Sequence, residues 1–163
     1  MDLIYIKYNI LFDPLERFIF IHTLTIIMKV FITASFKEGK NKDEIESLCS
    51  LIKESGFQDF CFIRDVEHYQ KMFDDPKELM NRAKKEIKQC DSLLIDMTNK
   101  PTGRAIEAGI AFAQNKKIIS IMKKGTRIKD TTKGISDAII EYEDIKEIVN
   151  PLNSLFKKWT GVK

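Results

Sequence analysis

Between residues 91 and 113 the chain reads DSLLIDMTNKPTGRAIEAGIAFA. One acid, Glu107, stands there among Gly103, Ala105, Ala108, Gly109 and Ala111. On a helix, spacings of four residues put Gly103, Glu107 and Ala111 on one face. So thinly clad a face lets another body approach closely, and a carboxylate held ionised within it can act as a nucleophile. The helix dipole helps to keep the charge near the first turns. The plainer reading is that acids are common near helix starts, and that small residues serve tight helix packing or a dimer contact. Asp96 ends the apolar run SLLID, and Thr98 follows it. Asp96 can hold a sugar hydroxyl or a water, or orient Glu107. It can equally be a turn or capping aspartate. Thr98 has the same two readings, contact with a ligand or closure of the turn.

A second chemical segment is Ala34-Ser35-Phe36-Lys37-Glu38-Gly39-Lys40. Backbone N–H groups of such a turn, with Ser35, Lys37 and Gly39, can cradle a phosphate. It is not a Walker A loop, because GxxxxGK[ST] is missing. The alternative is an ordinary strand-to-helix turn with solvated lysines.

The elements that must position these residues alternate along the chain. Lys29–Ser35 is a short apolar, β-branched run. Asp43–Ser55 carries Ile45, Leu48, Leu51 and Ile52 at helical spacing, with Gly56 as its stop. Phe60–Ile63 reads as a strand. Pro76–Gln89 reads as a helix, with proline suited to its first turn and Lys84–Lys88 on a solvated face. Ser92–Asp96 is a buried strand, Thr102–Asn115 a helix and Lys117–Met122 a strand. Lys123–Lys133 reads as a charged loop, Ala138–Tyr142 as a last strand and Asp144–Trp159 as a last helix. Phe156 and Trp159 on that helix read as core. Short apolar strands alternating with helices predict an α/β three-layer sandwich, flavodoxin-like or Rossmann-like, with a five-stranded parallel sheet. In such sheets ligands bind beyond the carboxyl ends of the strands. That rule selects the loops at 34–40, 97–102 and 123–133.

Composition narrows the rest. A chain of 163 residues, 44% hydrophobic and 31% charged, suits one globular domain. Its 27 basic and 24 acidic residues are interspersed, which predicts no nucleic-acid polymer and no membrane as partner. Cys49, Cys61 and Cys90 form no disulfide framework or metal pair. His22 and His68 suggest no metal site, and no cofactor is implied. Reduced thiols point to the cytoplasm. Residues 1–27 are apolar, interrupted by Asp13, Glu16 and Arg17. They read as an N-terminal extension, from a misplaced start or as an added strand, before a domain at 28–163. The run Phe18–Ile27 is too short to span a bilayer, which takes ~20 apolar residues.

The stretch Asp96, Thr98, Glu107-Ala108-Gly109-Ile110-Ala111 resembles the signature of the nucleoside 2-deoxyribosyltransferase family, which includes the 2′-deoxynucleoside 5′-phosphate N-hydrolases. VFITASFKEGK (Val30–Lys40), KKIISIMKKG (Lys116–Gly125) and AIIEYEDIKEI (Ala138–Ile148) resemble other parts of that domain in order. The resemblance runs from Met28 to about Trp159. It implies that Glu107 attacks C1′ of a nucleoside or nucleotide, that a glycosyl ester forms, and that water or a second base resolves it. It implies a phosphate role for the loop of Ala34, Ser35, Lys37 and Gly39, and contacts at Asp96, Thr98 and Gly103. It also implies a hydroxyl donated by a neighbouring subunit, at about Thr131 with Thr132 beside it, and hence a homodimer or larger homo-oligomer.

Two positions depart from the family pattern. An aspartate expected in the helix before the third strand falls near Ala83, with Asn81 and Asp75 as conceivable substitutes. A small polar residue or aspartate expected six places before the nucleophile is Pro101. The general acid is therefore unassigned. Two alternatives stay open: a nucleotide-binding sensor without turnover, and a hydrolase of another N-glycoside such as NAD.

Overall fold

The structure is a computed structural model that describes residues 26–34, 37, 40–98 and 102–162. Nearly all of the N-terminal segment, together with Ser35, Gly39 and Pro101, lies outside the described residues.

Five short strands form one sheet: β1 (Lys29–Thr33), β2 (Gln58–Cys61), β3 (Ser92–Asp96), β4 (Lys117–Lys123) and β5 (Ala138–Tyr142). Their order is β2-β1-β3-β4-β5 and every pairing is parallel. This is the flavodoxin-like order, in which the chain reverses its direction of travel across the sheet after β2. The helices are α1 (Lys42–Glu54), α2 (Phe62–Asp65), α3 (Pro76–Lys88), α4 (Thr102–Ala113), α5 (Asp130–Ile135) and α6 (Val149–Thr160).

Alternation along the strands makes two cores. Val30, Ile32, Leu94, Ile119, Ile121, Ile140 and Tyr142 face α1 and α6, where Ile45, Ile52, Ile148 and Leu152 meet them. Phe31, Leu93, Ile95 and Ile118 face the other way, onto Ala83 and Ile87 of α3, Ala108 and Ala111 of α4, and Phe62 of α2. With side chains buried on both faces, the central strands have no polar face to show, which is why they read as continuous apolar runs.

Local chemistry sets the ends of the elements. Gly56 stops α1 at φ 97°, and a Cβ there would meet the Phe156 ring at 3.1 Å. Asp75 caps α3 by accepting from the Lys77 N–H at 2.9 Å, and Pro76 fills the first turn. Phe156 and Trp159 are core-facing, with ring centroids 5.2 and 6.4 Å from Phe57. On the Lys84–Lys88 face the lysines are solvated, but Glu86 is buried and takes Arg82 as partner at 2.7 Å.

Three boundaries differ from the sequence reading. β2 starts earlier, and Phe62 and Ile63 belong to α2, which follows it without a loop. The charged segment after β4 is not loop throughout, since Asp130–Ile135 turns as α5. The last helix begins as a 3-10 turn, Ile145–Ile148, held by Asp144 accepting from the Lys146 N–H at 2.9 Å. Among the described residues no helix is long and apolar enough to cross a membrane.

Candidate functional site

All five strands point their carboxyl ends the same way, so the turns after β1, β2, β3 and β4 share one end of the molecule. Glu107 lies at that end, in the second turn of α4, the helix entered from β3. The Ala108 and Ala111 side chains turn into the sheet and are 2% and 0% exposed. Small side chains at the contact let α4 lie close, which keeps Glu107 part-buried rather than in bulk water.

Its surroundings decide its protonation. Burial pushes the Glu107 carboxyl up to about 8; negative charge at Cys61 and Glu67 acts in the same direction, while the Arg104 guanidinium pulls it down. Arg104 is one helical turn back, at i−3. It donates from Nη1 to the Asp96 carbonyl at 2.7 Å. Burial lowers the guanidinium below its usual value, against the carboxylates of Asp96 and Glu107, which favour its charge. The arrangement is a carboxyl drawn out of water with a cation beside it, at the ligand-binding end of a parallel sheet.

Asp96 is committed first to the turn. One carboxylate oxygen accepts from the Thr98 N–H at 2.8 Å and the other faces the Tyr142 hydroxyl at 3.4 Å. Thr98 ties β3 to its neighbours: its Oγ1 accepts from the Lys123 N–H at 3.0 Å and lies 3.1 Å from the Tyr142 hydroxyl. Burial raises the Tyr142 phenol, so it is a neutral donor at the floor of this corner.

On the β1 side, Ala34 is part-buried directly after the strand. The Lys37 N–H donates to Asn41 Oδ1 at 3.1 Å, and the Lys37 ammonium reaches Glu44 at 3.8 Å on an exposed surface. Thr33, the last residue of β1, is 1% exposed, and its Oγ1 has no hydrogen-bond partner among the described residues. Strand alternation puts it on the α4 face beside Ile95. A buried hydroxyl without a partner is uncommon.

The structure thus gathers Ala34, Asp96, Thr98 and Glu107 at one end. Gly103 is exposed on α4, and among the described residues nothing lies within 4 Å of a Cβ built there. Thr131 lies exposed on α5. Ala83, where the family pattern asks for an acid, is 1% exposed in the core. Asp75 is occupied as a cap and Asn81 is exposed, so neither stands in for it. Sequence reasoning missed Arg104, Tyr142 and Glu67. The i, i+3 spacing of Arg104 and Glu107 was a usable signal. Tyr142 and Glu67 come from distant segments and had none. Among the described residues no cluster of three or more His, Cys, Asp or Glu could hold a metal.

No family model matches the chain, and no curated protein matches it. Solved structures do. The CMP N-glycosidase BcmB of Clostridium botulinum is 27% identical, with 78% of this chain and 98% of that chain covered at a TM-score of 0.58. A 2-deoxyribosyltransferase from Bacillus psychrosaccharolyticus is 17% identical, covering 75% and 90% at 0.59. A conserved protein from Enterococcus faecalis V583 is 10% identical, covering 80% and 99% at 0.66. The last two likenesses speak for the shared α/β fold. The first adds sequence likeness over nearly all of a nucleotide N-glycosidase.

The raised Glu107 carboxyl has a measurable consequence. The folded chain keeps that proton between pH near 4.5 and about 8, while the unfolded chain loses it. Stability from this group is therefore full below 4.5 and drains as pH rises through 8. Glu107→Gln, neutral throughout, removes the loss. In urea denaturation the variant gains on wild type as pH goes from 5 to 9, by on the order of 2–4 kcal/mol. A difference that does not change with pH contradicts the burial of this carboxyl.

Proposed function

We propose that this protein cleaves the N-glycosidic bond of a nucleoside or nucleoside 5′-monophosphate, with Glu107 as nucleophile. The observation that carries the reading is the desolvated Glu107 carboxyl beside Arg104 at the carboxyl end of the sheet. The likeness to a CMP N-glycosidase supports it.

In this reading the Glu107 carboxylate attacks C1′, the C1′–N bond breaks, and its electron pair leaves with the base. A glycosyl ester of Glu107 remains. Water hydrolyses the ester, or a second base displaces it, and the configuration at C1′ is retained. Arg104 steadies the carboxylate before attack and after release. The Asp96–Thr98–Tyr142 corner fixes the turn from which α4 starts, with sugar hydroxyls within the province of Asp96 and Thr98. The 5′-phosphate is assigned to the turn of Ala34, Ser35, Lys37 and Gly39, where Lys37 supplies the positive charge. Hydrolysis is favoured over base transfer because this turn resembles that of the N-hydrolases.

The active unit in this reading is at least a homodimer, with the Thr131 hydroxyl of a second copy near the phosphate and Gly103 within reach of the other subunit. α4 supports it: Ile106 and Phe112 are each 55% exposed, and Gly103 and Gly109 leave open space beside them. Sedimentation velocity should give a dimer mass for wild type and a monomer for Ile106→Glu with Phe112→Glu. A wild-type monomer at micromolar concentration contradicts this.

Activity is tested by incubating the protein with each nucleoside and nucleoside 5′-monophosphate, ribo and deoxy, and following free base by chromatography. Wild type should release base from at least one, and Glu107→Ala and Glu107→Gln should release it at least ~10³-fold more slowly. Saturable nucleotide binding without base release by any form points instead to a sensor.

A further inference from the structure

An ionised carboxylate only accepts hydrogen bonds. Asp96 can therefore hold a ligand only by a group that donates, such as a sugar hydroxyl, and it can do so selectively only where its own oxygens are fixed. One side chain that fixes them was marked by no motif and no spacing: Tyr142, at the end of β5.

β5 lies two strands from β3 in the sheet, which is about 10 Å. Tyr142 stands in register with Lys123 of β4, the strand between them. Strand alternation turns its ring to the α1 and α6 side with Ile140. Asp96 leaves β3 on that same side, two residues after Leu94. A tyrosine is long enough to cross β4 there and to bring a polar tip to the turn after β3. Tyr142 is 4% exposed, whereas Asp96 and Thr98 are part-exposed. The member of this corner open to a ligand is Asp96, not the phenol.

The protons of the corner have one arrangement that satisfies every contact. The Lys123 N–H can only donate, and it donates to Thr98 Oγ1 at 3.0 Å. Thr98 Oγ1 lies 3.1 Å from the Tyr142 hydroxyl, which in turn lies 3.4 Å from Asp96 Oδ2. Asp96 can only accept. The phenol proton thus points to Asp96 and the Thr98 proton to the phenol oxygen, so the chain is directed from the Lys123 N–H to the carboxylate. Oδ1 is held separately by the Thr98 N–H at 2.8 Å, and the Asp96 carbonyl by Arg104 Nη1 at 2.7 Å. The last link, at 3.4 Å, is long for a hydroxyl on a carboxylate. It orients Oδ2 without using up its capacity, since each oxygen has a further lone pair for a ligand.

We propose that Tyr142 is a positioning residue of the substrate site: its hydroxyl holds Asp96 Oδ2 in place to accept from the C2′ or C3′ hydroxyl of the sugar. This rests on the reading of this end of the sheet as a nucleotide N-glycosidase site. β3 lies beside β1 and leads into α4. Asp96 therefore stands between the turn after β1, assigned to the 5′-phosphate, and the helix that bears Glu107. A sugar with its phosphate at that turn and C1′ at Glu107 presents its ring hydroxyls to Asp96. Without the phenol, Oδ2 is free to turn, and the carboxylate keeps only the Thr98 N–H as its guide.

The test measures binding by calorimetry, with Glu107→Gln as the parent so that bound nucleotide is not consumed. The probes are the four common nucleoside 5′-monophosphates in ribo and 2′-deoxy form and, for the base bound most tightly, the 3′-deoxy form. Adding Tyr142→Phe should weaken binding of the forms that carry the accepted hydroxyl ~10-fold. It should leave unchanged the form that lacks this hydroxyl. Adding Asp96→Ala should weaken the same forms by at least ~10-fold, and Tyr142→Phe on top of Asp96→Ala should cost nothing more. Phenylalanine keeps the ring in the core, and unchanged binding of the form without the hydroxyl reports a folded site. A loss equal for ribo, 2′-deoxy and 3′-deoxy forms, a loss that persists in Asp96→Ala, or no loss at all overturns the positioning role and leaves the reading of the site standing. If the parent binds none of the nucleotides, the reading of the site falls and the role of Tyr142 falls with it.

Discussion

Water removed from one carboxyl governs this structure. A solvated glutamate is a poor nucleophile and an uninformative one, because acids occupy the early turns of many helices. Glu107 differs because α4 lies close on the sheet through Ala108 and Ala111. Desolvation holds the proton on, and Arg104 is the group that makes its release feasible. The balance is one that a reactive carboxyl needs: an environment unfavourable to idle charge, with a cation in place to stabilise the charge when the reaction calls for it.

The parallel sheet brings these groups together. Thr33, Glu67, Asp96 and Glu107 are spread over 75 positions from first to last. They come to one end because every strand delivers its following turn there. The β3–β4 corner adds rigidity: Asp96 and Thr98 spend their hydrogen bonds on the turn, on the Lys123 N–H and on Tyr142. This corner sets where α4 begins, and hence where Glu107 stands. In the proposed reading, Asp96 serves Glu107 through geometry before any contact with a sugar.

The fold was legible in the sequence because its strands are apolar on both faces and its helices carry their own punctuation. Ser92–Asp96 and Ala138–Tyr142 could be read to their ends, and Gly56 and Pro76 mark real boundaries. The readings slipped where tertiary packing overrode pattern. Phe62 and Ile63 look like strand residues but turn into α2, where they are buried by packing over the sheet rather than by pairing within it. In Asp130–Ile135 a glycine and charged residues hide a short helix. At the site, Glu107 was visible through its small neighbours. Arg104 was visible only in principle, by its helical spacing. That Cys49 and Cys61 pack in the same α1-side core was hidden because tertiary packing, not spacing, brings them there.

The central claim is a covalent bond between Glu107 and a sugar carbon. It is tested most directly by mixing the protein with a nucleotide whose sugar carries fluorine at C2′, which slows hydrolysis of the ester, then quenching in acid and analysing the peptides by mass spectrometry. The account predicts the mass of the sugar phosphate, or of the sugar where a nucleoside is the substrate, added to the peptide that contains Glu107 and localised to its carboxyl. Release of base with every Glu107 peptide unmodified, or with the sugar found on another residue, would contradict it.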